Sequence, residues 1–459
     1  MAELLEAHVG EVDAFTVSLE RDPLLRSTIA AVAVYEKSPD WDMLVDRIDR
    51  ATRLTPNFRE KLVPTPLGLA PPRWVIDPDF DLLFHLRRVN APDPQTLDTV
   101  FEFARNAGMT AFDPARPLWE FTLIEGLRDG RAALVMKLHH ALTDGIGGVQ
   151  IAAHVVDLQS EPTDLGPMPD APVGHAHQGF EPLRDAIVYD LGRLAGALRE
   201  RAVALPHDIA RALRDPAGVT RDAARTAVAL ARFVRPITTT RSPVMTDRRL
   251  RWHYDTLDVP LPALKAAAKT VGGTLNDGFV AGVTGGLRRY HEKHGAPVEA
   301  LRLTMPISIR REDDPEGGNR VTLVRFDVPV GIEDPAARMR EIDSLCSALR
   351  EDRALPWSNA VAGVLNLLPS SITGGMLKHV DFLASNVPGF PDAVYVGRAR
   401  MLAFYAFGPT LGSAANITLM SYRETCHIGV NTDVGAVSDP DLFMECLRDG
   451  FEEVLALAG

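Results

Sequence analysis

The sequence predicts an α/β protein built in two halves, with mixed β-sheets and flanking helices. Short apolar runs of strand length alternate with segments whose apolar residues recur at helical spacing, first over residues 28–158 and again from Arg249 onward. A polar cluster, His139-His140-Ala141-Leu142-Thr143-Asp144-Gly145, falls where one such strand ends and a helix begins, a usual place for a site in an α/β domain. An arginine-rich stretch of different composition separates the two halves. A chain of 459 residues is in any case too long for one ordinary core.

In chain order, Thr28–Tyr35 is an apolar strand candidate and Asp40–Leu54 has helical spacing. Asn57–Pro78, with Pro64, Pro66, Pro71 and Pro72, reads as turns. Thr96–Met109 reads as a helix. Phe121–Leu127 and Ala132–Leu138 read as a hairpin around Arg128-Asp129-Gly130. The helix after the polar cluster is expected to run to about Leu158. Ser160–Gly179 is rich in Pro, Gly, Asp and His and reads as an exposed linker. His175 and His177 there fit a solvated pair better than a metal site, because no further ligand accompanies them.

Phe180–Pro236 reads as two or three helices broken near Pro206 and Pro216. Residues 181–250 hold 13 Arg, no Lys and 8 Asp or Glu, a local positive excess in a chain of net charge −12. Such basic amphipathic helices can lie on an anionic lipid surface, or can simply connect and cover two domains. The pattern then resumes with strands at Arg249–Val259, Leu301–Ile307, Val321–Val330, Asp381–Val387, Ile417–Met420 and Cys426–Thr432. Helices are expected at Leu261–Val271, Asn276–His294, Pro335–Arg350 and Asp439–Leu457, with Asn276 or Asp277 and Ser438 as cap candidates. The expected division is residues 1–179, a connector 180–247, and 248–459.

The net charge argues against general nucleic-acid binding. Cys346, Cys426 and Cys446 cannot all pair within the chain and lack metal-ligand spacing, so a reducing compartment is the simplest reading. The first eleven residues lack the basic start and apolar core of a secretory signal. Two long charge-free stretches, Ser358–Leu377 and Met401–Tyr422, are broken by Pro, Gly or Asn and read as buried strands and loops rather than membrane spans. They are also candidates for lining a passage for an apolar chain. A cytoplasmic location follows, with peripheral contact to a membrane or lipid droplet through the basic connector as an added expectation.

The polar cluster has readable chemistry. Neighbouring side chains of a strand point to opposite faces, so His139 and His140 cannot both enter one cleft. One is expected to work and the other to be packed. An imidazole titrates near neutrality and can take a proton from a hydroxyl and return it. Asp144 could hold the loop or fix a histidine tautomer, and Gly145 permits a backbone conformation a side chain would forbid. Gly145 and Gly147 do not open a dinucleotide fingerprint, because Gln150 stands at the third position. A two-His-plus-Asp metal site lacks a third partner of the usual spacing, so no metal is expected.

The pattern H-H-x-x-x-D-G resembles that of the CoA-dependent acyltransferase superfamily, whose prototype is chloramphenicol acetyltransferase. Further segments narrow the likeness to the bacterial wax ester synthase/diacylglycerol acyltransferase family. They are Pro72–Arg87, Arg116–Glu120 with Pro117-Leu118-Trp119, Thr274–Gly278 with Asn276-Asp277, Met305–Arg310, Gly317–Asn319 and Ser385–Gly389 with Ser385-Asn386. The opening Glu11–Val17 departs from the family's usual P-L-D-x-x-F-L-like start.

The resemblance implies two chloramphenicol-acetyltransferase-like domains joined by a helical linker, with the active site on a tunnel between them. It implies acyl-CoA as co-substrate, no bound cofactor, and diacylglycerol or a long-chain fatty alcohol as acceptor. His140 would be the general base, with His139 and Asp144 in supporting roles. Asn276 and Asp277 would lie near the site, and Pro117, Leu118, Trp119, Ser385 and Asn386 would shape the tunnel wall or serve as turns and core. Transfer would be direct, which suits the absence of a G-x-S-x-G nucleophile elbow. Competing readings are acylation of a polyketide or glycolipid alcohol, and a lipid-binding relative without catalysis.

Overall fold

The computed structural model describes residues 8–65, 70–143, 145–173, 238–308, 321–350, 375 and 377–459. Asp144, His175, His177 and the helices expected over 180–236 lie outside the described residues, as do most of Ser308–Arg320 and Ser358–Leu377.

Two six-stranded sheets organise the described chain. The first contains β1 (Thr28–Tyr35), β4 (Leu86–Asn90), β5 (Trp119–Glu125), β6 (Ala132–His139), β11 (Tyr395–Val396) and β12 (Ala399–Phe407), in the order β11-β12-β1-β6-β5-β4. Only β4 and β5 pair in parallel there. The second contains β7 (Trp252–Pro260), β8 (Ala300–Ser308), β9 (Val321–Pro329), β10 (Phe382–Val387), β13 (Ala415–Tyr422) and β14 (Thr425–Asp433), in the order β7-β14-β13-β10-β8-β9. It is mixed, because β10 runs parallel to both β13 and β8.

Strands β11 and β12 belong to the C-terminal stretch of the chain yet complete the first sheet, where β12 pairs with β1 along Ala30↔Phe407 to Tyr35↔Met401. The stretch Met401–Tyr422, read as buried strands and loops, covers most of β12, but periodicity gave the strand no bounds. Its two faces join two different apolar clusters, Phe404 and Ala406 in one and Tyr405 and Phe407 in the other, so Ala-Phe-Tyr-Ala-Phe reads as a continuous run instead of an alternation. The proline-rich Asn57–Pro78, read as turns, also holds a two-stranded ribbon, β2 (Glu60–Val63) with β3 (Arg73–Ile76).

The helices are α1 (Glu11–Leu19), α2 (Trp41–Leu54), the single turn α3 (Leu82–His85), α4 (Leu97–Met109), α5 (Gly145–Ala153), α6 (Leu261–Lys269), α7 (Leu275–Lys293), α8 (Pro335–Arg350) and α9 (Pro440–Leu455). Two expected caps are corrected. Thr274 starts α7 in a capping box with Asp277, whose carboxylate accepts the Thr274 N–H at 2.7 Å, so neither Asn276 nor Asp277 is the cap. Asp439, not Ser438, caps α9 by accepting the Leu442 N–H at 3.0 Å. Helices α7 and α9 pack closely because Gly286 meets Gly450; a Cβ on Gly450 would lie 2.3 Å from the Gly286 nitrogen. The linker segment after α5 is tied down by α2: Arg47 donates to Thr163 O, Arg50 to Gly166 and Pro167 O, and Arg53 to Pro169 O. Among the described residues no helix is long and apolar enough to cross a membrane.

Candidate active site

The site grows from the end of β6. Antiparallel pairing sets Thr28 opposite His139, and just past that pair the His140 N–H donates to Ser27 O at 3.0 Å. Strand alternation sends the two histidines to opposite sides. His139 is buried behind the sheet at 2% exposure. Its Nδ1 accepts the Ala141 N–H at 3.0 Å, which places the ring proton on Nε2. That nitrogen lies 3.3 Å from Glu20 Oε1, which also accepts the Ser27 N–H at 2.6 Å. His139 therefore works as a strut: it shapes the turn after β6 and packs beside the loop before β1.

Lys137, on the same side, is buried with its ammonium 4.1 Å over the Phe112 ring and 3.2 Å from Glu120 Oε1. Burial pushes its pKa below the ordinary lysine value, and Glu120 opposes that shift. The flank behind His139 is thus polar and packed.

His140 faces the other way, into a cavity of about 230 Å³ between the two sheets. The walls follow strand alternation: Ile29, Ala31, Ala33 and Tyr35 from β1, Leu134, Met136 and Leu138 from β6, and Phe404 and Ala406 from β12. The second sheet contributes Leu383, Ser385 and Val387 from β10, with Asn416, Thr418 and Met420 from β13. Ser27 and Thr143 stand beside His140, whereas Ile48, Phe58, Phe121 and Phe390 line the wall elsewhere. From Ser27 to Tyr35 the β1 wall extends about 27 Å at ordinary strand rise, the length scale of an extended long-chain acyl group. A polar reactive end with an apolar arm suits a substrate with one reacting group on a long hydrocarbon.

Of the other residues singled out in the sequence, Ser385 lines the cavity and Asn386 does not. Leu118 and Trp119 are buried core. The Trp119 Nε1–H donates to Phe58 O at 2.8 Å and its ring packs 4.8 Å from Phe121, so Trp119 backs two wall residues without reaching the cavity. Pro117 O accepts the Trp119 N–H and Leu118 O accepts the His139 N–H, fixing the strand beside the motif. Asn276 Nδ2 points to Met305 Sδ at 3.7 Å, and Asp277 is the buried capping partner of Thr274. Gly145 opens α5, whose Gly148 and Val149 line the cavity. Sequence reasoning missed Ser27, Ala31 and Ala33, whereas Thr418 falls in the stretch Met401–Tyr422 named as candidate lining. For the β1 residues a signal existed in the step-two pattern running back from Tyr35. Among the described residues no cluster of His, Cys, Asp and Glu could hold a metal ion.

Residues 6–279 match the model of the wax ester synthase/diacylglycerol acyltransferase catalytic domain, and residues 317–454 match that of the WS/DGAT C-terminal domain. A Mycobacterium tuberculosis H37Rv protein named as a diacylglycerol O-acyltransferase is 38% identical over 467 residues, covering 99% of this chain and 93% of the relative. Another from the same strain is 29% identical, covering 97% of this chain and 96% of the relative. Among solved structures, the wax ester synthase/diacylglycerol acyltransferase of Marinobacter aquaeolei VT8 aligns with a TM-score of 0.65 at 19% identity, covering 99% of this chain and 100% of that one. The starter condensation domain of rhizomide synthetase, solved with C8-CoA and Leu-SNAC, aligns with a TM-score of 0.64 at 13% identity, covering 100% and 96%. These likenesses show the fold, the chloramphenicol-acetyltransferase-like architecture of such enzymes. With both family domains matched along its length, the chain belongs to the wax ester synthase/diacylglycerol acyltransferase family of O-acyltransferases.

Proposed function

We propose that this enzyme moves a long-chain acyl group from its CoA thioester to the hydroxyl of diacylglycerol or of a long-chain fatty alcohol, with His140 as the general base. The observation that carries this reading is the position of His140 on the wall of a predominantly apolar cavity between the two sheets. The imidazole takes the acceptor's proton as the hydroxyl oxygen attacks the thioester carbonyl. The tetrahedral intermediate then collapses, the C–S bond breaks, and the departing CoA thiolate takes the proton back. No covalent acyl-enzyme forms. A base of this kind supplies about 10²–10⁴-fold, and the rest must come from orienting two substrates and from donors to the oxyanion. The acyl chain lies along the β1 wall toward Tyr35.

The Arg-rich connector would hold the enzyme to an anionic membrane or lipid-droplet surface, where both apolar substrates reside. Unchanged liposome co-sedimentation after charge reversal in that stretch would remove this part of the reading.

The test of the reaction is release of free CoA thiol from palmitoyl-CoA with diacylglycerol, with hexadecanol and with no acceptor. Wild type should show acceptor-dependent release that collapses in His140→Ala. Release that survives in the variant would mean His140 is not the base. Lack of release with either acceptor would favour a specialised alcohol or a non-catalytic lipid-binding role.

A further inference from the structure

We infer that Ser27 is a second catalytic residue, its hydroxyl donating a hydrogen bond to the thioester carbonyl oxygen as that oxygen becomes an oxyanion. The inference rests on the reading of His140 as the base.

The argument begins with register. Ser27 and His140 lie one step beyond the last paired residues of β1 and β6, Thr28 and His139, and are joined by the His140 N–H to Ser27 O bond at 3.0 Å, which continues that register. Directly opposite residues of an antiparallel pair present their side chains on the same face, with Cβ atoms about 4.5–5.5 Å apart. Both residues contribute to the cavity wall. Any acyl carbon within reach of an alcohol held by His140 is therefore also within reach of the Ser27 side chain.

The second observation is chemical. Ser27 is 1% exposed and its Oγ has no hydrogen-bond partner. A buried hydroxyl without a partner is costly and uncommon in a native interior, so one beside a reactive imidazole calls for a polar partner during turnover. Serine has one side-chain rotor with three staggered wells, so the Ser27 hydroxyl can reorient without moving its main chain. Ser27 is also fixed in its main chain from two directions, since its N–H donates to Glu20 at 2.6 Å while its carbonyl holds His140. The donor and the base are thereby held in one frame, which is the preorganisation an oxyanion donor requires.

The electron count is simple. As the alcohol oxygen bonds to the carbonyl carbon, the π pair of C=O moves onto oxygen and the His140 imidazole holds the proton. Ser27 donates a hydrogen bond to that oxygen and keeps its own proton. Collapse returns the pair to C=O and expels the thiolate, which is protonated by His140.

The test compares wild type with Ser27→Ala and Ser27→Thr. Loss of one oxyanion donor lowers kcat by about 10²–10³-fold. The expected result is a fall of that order in Ser27→Ala, with the KM for acyl-CoA and the thermal midpoint unchanged and partial recovery in Ser27→Thr. A readout independent of turnover is the ¹³C=O infrared stretch of a bound acyl-CoA analogue whose thioester sulfur is replaced by methylene. It should lie at lower frequency in wild type than in Ser27→Ala. Wild-type kcat and an unshifted carbonyl band in Ser27→Ala would overturn the inference while leaving His140 intact. So would equal losses in Ala and Thr variants that track a lowered thermal midpoint. Should Ser27→Ala fail to fold, Ser27→Gly and Ser27→Cys carry the same comparison, and a full kcat in any folded variant that lacks the hydroxyl decides against the role.

Discussion

Strand β1 has two apolar, largely buried faces, yet only one of them lines the described cavity. On one face Ala30, Val32 and Val34 meet Val100, Phe101, Tyr254 and Phe407. There the rings of Tyr254 and Phe407 stack at 4.2 Å, 3° from parallel. On the other face Ala31 and Ala33 look across toward β10 and β13 of the second sheet, and the space between them is the cavity. Burial alone therefore does not separate structural from functional positions in this fold. What separates them is whether the opposing element supplies enough volume to reach normal packing density. The same division runs through the histidine pair: His139 is buried away from the cavity with its Nδ1 held by the Ala141 N–H, whereas His140 lines the cavity.

The sharpest way to break that comparison is to exchange effects between faces. His140→Ala should lower acceptor-dependent turnover by about 10²–10⁴-fold with no shift in the unfolding midpoint, as read by thiol release beside urea titration. Phe407→Ala should do the reverse. Phe407 is fully buried in the filled face, and emptying an aromatic core position costs about 3–5 kcal/mol, visible as a lower urea midpoint. The folded fraction should keep its acyl-chain preference. A change of chain preference in Phe407→Ala would mean the two faces are not independent.

This division was half legible in the sequence. The motif gave the strand, the opposite orientation of the two histidines and a site at a strand–helix junction, because local periodicity encodes them. The partners across the cavity were legible in part: Ser385 and the stretch Met401–Tyr422 were marked as candidate wall and both contribute to it, but the pairing that brings the pieces together was not legible. Ser27 lies over a hundred residues from His140 and becomes its neighbour only through register, and the lengthwise neighbour β12 enters from the far end of the chain. Trp119 was expected either on the tunnel wall or in the core, and it stands one layer behind Phe121. The difference between lining and backing a cavity is a matter of a single side-chain layer, which no spacing rule encodes. Asn276 and Asp277 showed the same limit: their pattern marked a helix start, while the capping residue itself was Thr274.

A smaller and more specific effect is expected along the open face. Ala33 is a small residue deep on the β1 wall, and Phe in its place occupies volume that a long acyl chain would use. The preference for palmitoyl-CoA over octanoyl-CoA should fall by roughly tenfold or more, since single-methylene fit in an apolar pocket already discriminates on that scale. Competition between the two thioesters with one fixed acceptor measures the ratio. Ala30→Val, on the filled face of the same strand, should leave it unchanged. A shift seen only when the alcohol series is varied would assign this arm to the acceptor.

The smallest expected effect concerns a histidine that belongs to neither face. His291 is fully buried in α7, where Nδ1 donates to Leu287 O at 2.8 Å and Nε2 accepts the Ser242 hydroxyl at 2.8 Å. Ser242 Oγ in turn accepts the Met245 N–H at 2.8 Å, so its proton is committed to the ring. Burial pushes the His291 pKa below the ordinary histidine value, opposed by the Leu287 carbonyl. The unfolded chain then binds a proton that the folded chain refuses, and stability rises with pH over that interval. The contribution is complete above about pH 6.5 and is lost as pH falls through the lowered folded value. His85, whose pKa burial also lowers, adds a slope of the same sign, so the informative quantity is the difference between wild type and His291→Gln. Urea midpoints taken from neutral to mildly acid pH should converge between the two proteins as pH falls. Parallel curves would show that His291 takes up its proton equally in the folded and unfolded chain, so that its burial leaves no slope.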